Sequence, residues 1–181
     1  MKIFVESRQF IEKMIDKNPE WHMGKHIISI FSKGDVSPLP DRFNILKLEF
    51  DDVAERDIGN DSSSLCVENL IFFNEDHAKA IHKFIKPISA DDKKLFFIHC
   101  DAGVSRSGAV GLLLNEGFNK FLKRNQIDDE AFKMNNKHIL PNPLVVRLLK
   151  KELFGMPFRG IEVNDYTFNE DGDRIDHIEL I

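Results

Sequence analysis

The stretch that decides the fold runs from Leu95 to Phe121 and reads LFFIHC-DAGVSRS-GAVGLLLNEGFNKF. Leu95-Phe96-Phe97-Ile98 is an apolar run of the right length for a buried strand, while Val110, Leu113, Leu114, Gly117, Phe118 and Phe121 recur at helical spacing. Between them lie small and polar residues ending at Arg106-Ser107. The pattern is strand, tight loop, helix, and it sets the loop against a helix N-terminus.

Such a loop makes an anion site. The unpaired amides of the loop and of the first helical turn converge, and the helix dipole adds partial positive charge there. Gly103 frees the backbone to turn inward and form a nest of N–H groups. Arg106 completes the cradle, since its planar guanidinium can donate two parallel hydrogen bonds to phosphate oxygens. The phosphate-binding candidates are therefore Cys100, Asp101, Ala102, Gly103, Val104, Ser105 and Arg106.

Cys100 stands at the entrance, where the groups that favour an oxyanion also favour a thiolate, the nucleophilic form of the side chain. Ser107 is placed to hydrogen-bond the sulfur and help it leave when a thiophosphate is hydrolysed. His99 is expected to orient the loop from behind through hydrogen bonds to backbone, without touching substrate. A zinc site is disfavoured, because Cys66 and Cys100 are the only cysteines and neither has a partner at ligand spacing.

His99-Cys100-Asp101-Ala102-Gly103-Val104-Ser105-Arg106-Ser107 resembles the HCxxGxxR(S/T) signature of the cysteine-dependent protein tyrosine and dual-specificity phosphatases, and looks like a small member of bacterial type. All four fixed positions and the following hydroxyl match, between strand and helix as that family requires. The resemblance covers roughly residues 25–154 and implies a phosphotyrosine phosphatase-like fold. It also implies a general acid, an Asp on a loop after an upstream strand, to protonate the leaving oxygen as the P–O bond breaks. Asp52 is the first choice, in Phe50-Asp51-Asp52-Val53, with Asp51 and Asp57 as the alternatives. Some relatives guard their nucleophile with a reversible disulfide, which would pair Cys66 with Cys100; the other reading of Cys66 is a buried inert thiol.

Working outward, Lys2 to Val5 reads as a short strand and Ser7 to Lys17 as a helix stopped by Asn18-Pro19. His26 to Phe31 is apolar and bounded by turn residues, so it is a second strand, and Asn44 to Phe50 is a third nearer an edge. Asn74 caps a helix that ends at Pro87, Asp128 to Asn135 reads as a short surface helix, and Asn142-Pro143 opens a last one closed by Gly155. The expected architecture is α/β, a central parallel or mixed twisted sheet of four to five strands with helices on both faces. Residues 1–155 form the expected phosphatase domain. Residues 156–181 form an acidic extension of edge strands or partly disordered chain, where Asn169 to Asp173 only faintly resembles a calcium loop and fails its register.

Composition narrows the class. With 181 residues, 42% hydrophobic and 30% charged, the chain suits one domain with a sizeable core. Seven acidic and two basic residues from Met156 onward account for the whole net charge of -5, leaving a balanced body. Nothing there points to nucleic acid or an anionic membrane as a partner. Few cysteines, an early acid in the N-terminal segment and no apolar run of spanning length lead to an expectation of a soluble cytoplasmic monomer.

The reaction implied is phosphomonoester hydrolysis through a cysteinyl phosphate, needing no cofactor or metal, with a phosphorylated protein or peptide as substrate. The loop lacks the lysines that phosphoinositide phosphatases of this superfamily generally carry, and Asp101 repels a polyanionic headgroup. Alternatives are a catalytically silent phospho-ligand module and a phosphatase of nucleotides, RNA 5′ ends or phosphoinositides.

Overall fold

The computed structural model describes residues 1–53, 70–88, 94–121, 126–155, 164–168 and 174–177. Four parallel strands form the main sheet: β1 (Ile3–Ser7), β2 (His26–Phe31), β3 (Ile45–Glu49) and β4 (Phe96–Cys100). Their order across the sheet is β1-β4-β2-β3, so β4 is central and β3 takes an edge. A central strand is buried on both faces, which is why β4 reads as a continuous apolar run rather than an alternating one.

Alternation decides which helix covers which face. Phe97, Ile27 and Ile45 point to one side, where they pack with Ile11 of α1 (Arg8–Lys17), Trp21 and Leu39. Phe96, Ile98, Ile28, Ile30, Ile3 and Val5 point to the other. That larger core is closed by α2 (Glu75–Ile85), α3 (Arg106–Asn115), α4 (Gln126–Asn135) and α5 (Pro143–Phe154). Helices thus lie on both faces, as expected. Gly111 lets α3 sit directly on the sheet, since a Cβ there would lie 2.5 Å from Val5 Cγ2.

The helix starts and stops follow the side-chain chemistry. Ser7 caps α1 by accepting from the Phe10 amide, Asn74 accepts from Asp76 and His77 at the start of α2, and Asn142 accepts from Val145 ahead of Pro143. Gly155 ends α5 in the left-handed region at φ 64°.

Two details depart from the sequence reading. The helix after the loop does not run as one α-helix to Phe121: at Glu116–Phe121 it widens into a π-helix. The widening begins where Asn115 and Asn119 are buried in a polar network, Asn119 Nδ2 donating to Asn115 Oδ1 at 2.8 Å and Asn115 Nδ2 to Asp129 Oδ1 at 2.6 Å. The second departure is α4, which starts earlier than Asp128; it lies on the surface as expected, with most of its residues exposed, while Phe132 enters the main core. Further on, β5 (Asn164–Phe168) and β6 (Arg174–His177) pair antiparallel as a separate two-stranded sheet.

Candidate active site

Parallel strands all end on the same edge of a sheet, so the loops that follow them meet there. Ser7 at the end of β1, Ser32 after β2, Phe50 to Asp52 after β3 and Cys100 at the end of β4 share that edge. The sequence between Cys100 and Arg106 folds into a bowl over the end of β1.

Gly103 is what permits this. Its φ is 77°, and a Cβ would lie 2.5 Å from the Glu6 carbonyl carbon and 2.6 Å from the Ser7 amide nitrogen. Three loop carbonyls are then drawn outward by neighbouring backbone. The Arg8 amide donates to the Asp101 carbonyl at 3.1 Å, Leu140 to Val104 at 3.1 Å, and Asn142 to Ser105 at 3.2 Å. In a trans peptide the N–H points opposite to the C=O, so the amides of Ala102, Ser105 and Arg106 point away from those backbone neighbours. Helix α3 adds its own uncapped first turn, because the Ser105 hydroxyl makes no capping bond and the turn has no acidic residue. Donors arranged in this way favour an anion.

Cys100 and Ser107 are both buried, with Sγ and Oγ 3.0 Å apart. Arg106 is only 4% exposed. Its Nη1 donates to the Phe50 carbonyl at 2.8 Å and to Ser32 Oγ at 3.0 Å, and its Nη2 pairs with the Asp101 carboxylate. Ser32 Oγ also donates to Asp101 Oδ2 at 3.2 Å, so Ser32 and Asp101 share the end edge of the guanidinium. The remaining edge carries Nε, a buried donor with no partner among the described residues. Leaving a charged donor buried and unpaired is costly, and an oxyanion would satisfy it.

Two of the three candidate acids take different roles. Asp51 accepts from the amides of Ile71 at 2.8 Å and Lys33 at 3.2 Å, while its own amide donates to the Ile71 carbonyl at 2.7 Å. It is tied into the scaffold by both ends. Asp52 stands exposed at the rim, where Oδ1 accepts from Ser105 Oγ at 2.7 Å and Asn142 Nδ2 at 2.8 Å. It therefore touches the loop itself. Asp57 and Cys66, with its proposed pairing to Cys100, lie outside the described residues.

His99 is buried beside the loop, and burial holds its pKa at about 4, against an opposing pull from the Cys100 backbone. The ring is neutral at physiological pH. Among the described residues neither ring nitrogen makes a hydrogen bond of standard geometry, and the backbone group that acts on the ring is that of Cys100, in the loop itself. Among the described residues no group of three His, Cys, Asp or Glu side chains could hold a metal ion. His77 instead accepts from the Asn74 amide at 3.2 Å, and His82 faces Glu152 at 2.7 Å.

Ser32 and Asn142 enter the site without having been singled out for it. Asn142 was legible only as a helix cap, and its Nδ2 is left free to reach Asp52 because the cap uses Oδ1. Ser32 follows β2 directly, and the rule that parallel strands deliver their loops to one edge is the signal that could have found it.

No protein-family model matches the chain, and neither does any curated protein. Among solved structures, it is similar to the human tyrosine phosphatase-like serine/threonine/tyrosine-interacting protein, with 18% identity over 82% of this chain and 89% of that one and a TM-score of 0.47. The PTP-2 phosphatase of Cydia pomonella is 20% identical over 99% of this chain and 95% of its own, with a TM-score of 0.45. DUSP15 is 21% identical over 84% of both chains, also with a TM-score of 0.45. No helix among the described residues is long and apolar enough to cross a membrane.

Proposed function

We propose that the protein is a cysteine-dependent phosphomonoester hydrolase, acting on phosphorylated protein or peptide as a tyrosine or dual-specificity phosphatase. The observation that carries this reading is the joint placement of the Cys100 thiol, 3.0 Å from the Ser107 hydroxyl, and a buried Arg106, whose Nε has no partner among the described residues, at the mouth of an uncapped helix.

In the first step Cys100 Sγ attacks phosphorus in line. The S–P bond forms as the P–O bond breaks, and a protonated Asp52 gives its proton to the leaving oxygen. The loop amides and the Nε edge of Arg106 hold the equatorial oxygens, where charge is spread in the transition state. In the second step a water attacks the cysteinyl phosphate, and the Asp52 carboxylate takes its proton. Ser107 then stabilises the departing thiolate by hydrogen bonding. Because the nucleophilic thiolate must coexist with a protonated acid, activity is expected to be greatest at mildly acidic to neutral pH.

A protein substrate is favoured by the loop side chains. Asp101, Ala102, Val104 and Ser105 offer no cation for additional phosphates, and Asp101 is partly exposed. The test is turnover of a small aryl phosphate, with loss in Cys100→Ser and acid-stable trapping of phosphate on the enzyme in Asp52→Asn. A wild type that binds phosphate without turning over aryl phosphate would reassign the protein as a phospho-ligand module. Phosphotyrosine, phosphoserine and phosphothreonine peptides, run beside a phosphoinositide, would then identify the substrate.

A further inference from the structure

We infer that Asp101 and Ser32 are positioning residues that hold the Arg106 guanidinium by its end edge, so that its Nε edge is presented to the phosphate. This rests on the phosphatase reading and adds to it a carboxylate that acts through the arginine.

The hydrogen-bond pattern fixes the orientation. A guanidinium has two edges able to take an oxyanion side by side, one made of Nη1 and Nη2, the other of Nη2 and Nε. Ser32 Oγ lies 3.0 Å from Nη1 and 3.2 Å from Asp101 Oδ2, and Asp101 Oδ2 meets Nη2. The three groups close a ring over the first edge, and the Phe50 carbonyl takes a further Nη1 hydrogen at 2.8 Å. Among the described residues every partner is therefore at or beyond that edge, and Nε has none. Arg106 is 4% exposed, and the polar partners given for its guanidinium are these groups, whereas the Asp101 side chain is 41% exposed and reachable by water.

The rival meaning of the same contact is a plug, in which Asp101 occupies the place of the phosphate. The two make opposite predictions. A plug, once removed, leaves the chemical step intact and tightens phosphate. A lost positioning group leaves the arginine free to rotate, and misplacing a catalytic group by about 1 Å can cost roughly 100-fold in rate.

The experiment measures kcat and KM for an aryl phosphate, the inhibition constant of inorganic phosphate and the melting temperature, for wild type, Asp101→Asn, Asp101→Ala and Ser32→Ala. Positioning predicts that kcat falls at least about tenfold in Asp101→Ala, less in Asp101→Asn, which keeps one acceptor oxygen, and that Ser32→Ala weakens phosphate severalfold. Ser32→Ala changes no charge, so relief of repulsion cannot mask the effect. An unchanged kcat with tighter phosphate in the Asp101 variants, or equal constants throughout, would overturn the inference. If Asp101→Ala fails to fold, Asp101→Asn and Ser32→Ala decide. A wild type that neither hydrolyses aryl phosphate nor is bound by phosphate would instead remove the underlying phosphatase reading.

Discussion

Two adjacent carboxylates after β3 differ in what holds them, and that difference separates their roles. Asp51 receives two backbone N–H groups, so an amide in its place would set a donor against a donor at Ile71 or Lys33. Asp51→Asn should lower stability by about 1–3 kcal/mol. Among the described residues Asp52 receives side-chain donors, from Ser105 and Asn142, at an exposed rim. Asp52→Asn should leave the denaturation midpoint unchanged and lower kcat by about 10²–10⁴ for substrates with poor leaving groups. Urea melts and substrate series on both variants check this, and the reverse assignment of effects would remove Asp52 as the acid. His99 gives a pH prediction of definite sign. Its folded pKa of about 4 lies below the ordinary 6.5, so the unfolded chain binds a proton that the native state refuses between those values. The native state carries no penalty above pH 6.5 and loses stability as pH falls toward 4, by on the order of 3 kcal/mol. His77 is lowered by burial too and adds to this slope, while Glu6, raised by burial, opposes it. The quantity to measure is therefore the difference between wild type and His99→Gln across that range, which should shrink the acid loss; an unchanged slope would mean that His99 is not the group refusing the proton.

At the scale of elements, the placement of α3 against the sheet rests on a missing side chain. Gly111→Ala would drive a Cβ to 2.5 Å from Val5 Cγ2, with Ile98 and Phe132 close behind, and overpacking of this kind typically costs about 1–3 kcal/mol. Gly117, in the π-helix, meets nothing closer than Phe154 at 3.7 Å. Gly117→Ala should be neutral or stabilising by up to about 1 kcal/mol, since it removes backbone freedom from the unfolded chain at little steric cost. Calorimetry on the pair checks the contrast, and equal losses would mean that helix-to-sheet distance is not what Gly111 controls. These elements also mark what a sequence can convey. Strand β2 was legible with its observed bounds because HIISIF is apolar throughout and the turn around Gly34 ends it, and α5 because Asn142-Pro143 and Gly155 are local signals. The π-helix was not legible. It coincides with a buried asparagine pair whose partner, Asp129, lies on another helix, and six residues are too few to separate a wider turn from an ordinary one by spacing. The same limit applies to the site. Cys100, Gly103, Arg106 and Ser107 sit on one contiguous segment and could be read together, whereas Ser32, Asp52 and Asn142 arrive from loops whose meeting depends on strand order.

Across the whole molecule, the bowl is where separate parts of the chain are fastened to one another. The Arg8 amide from the start of α1, Leu140 and Asn142 ahead of α5, Ser32 after β2 and Phe50 after β3 all bond to the loop or to Arg106. An anion that completes the bowl should therefore stabilise both layers at once. Inorganic phosphate at about a hundred times its dissociation constant adds roughly 2.7 kcal/mol to a protein that binds it only when folded. For a chain of 181 residues that corresponds to a rise in melting temperature of about 5–10 °C. Trp21 provides the needed second probe, because it is buried in the core beneath α1, on the face of the sheet opposite α3. Its fluorescence and the far-UV circular dichroism should move together by the same amount, in wild type and in Cys100→Ser, which keeps the amides and the guanidinium. In Arg106→Ala both shifts should vanish. Fluorescence that stayed behind while the dichroism moved would show that the α1 layer melts independently, and that phosphate fastens only the larger core.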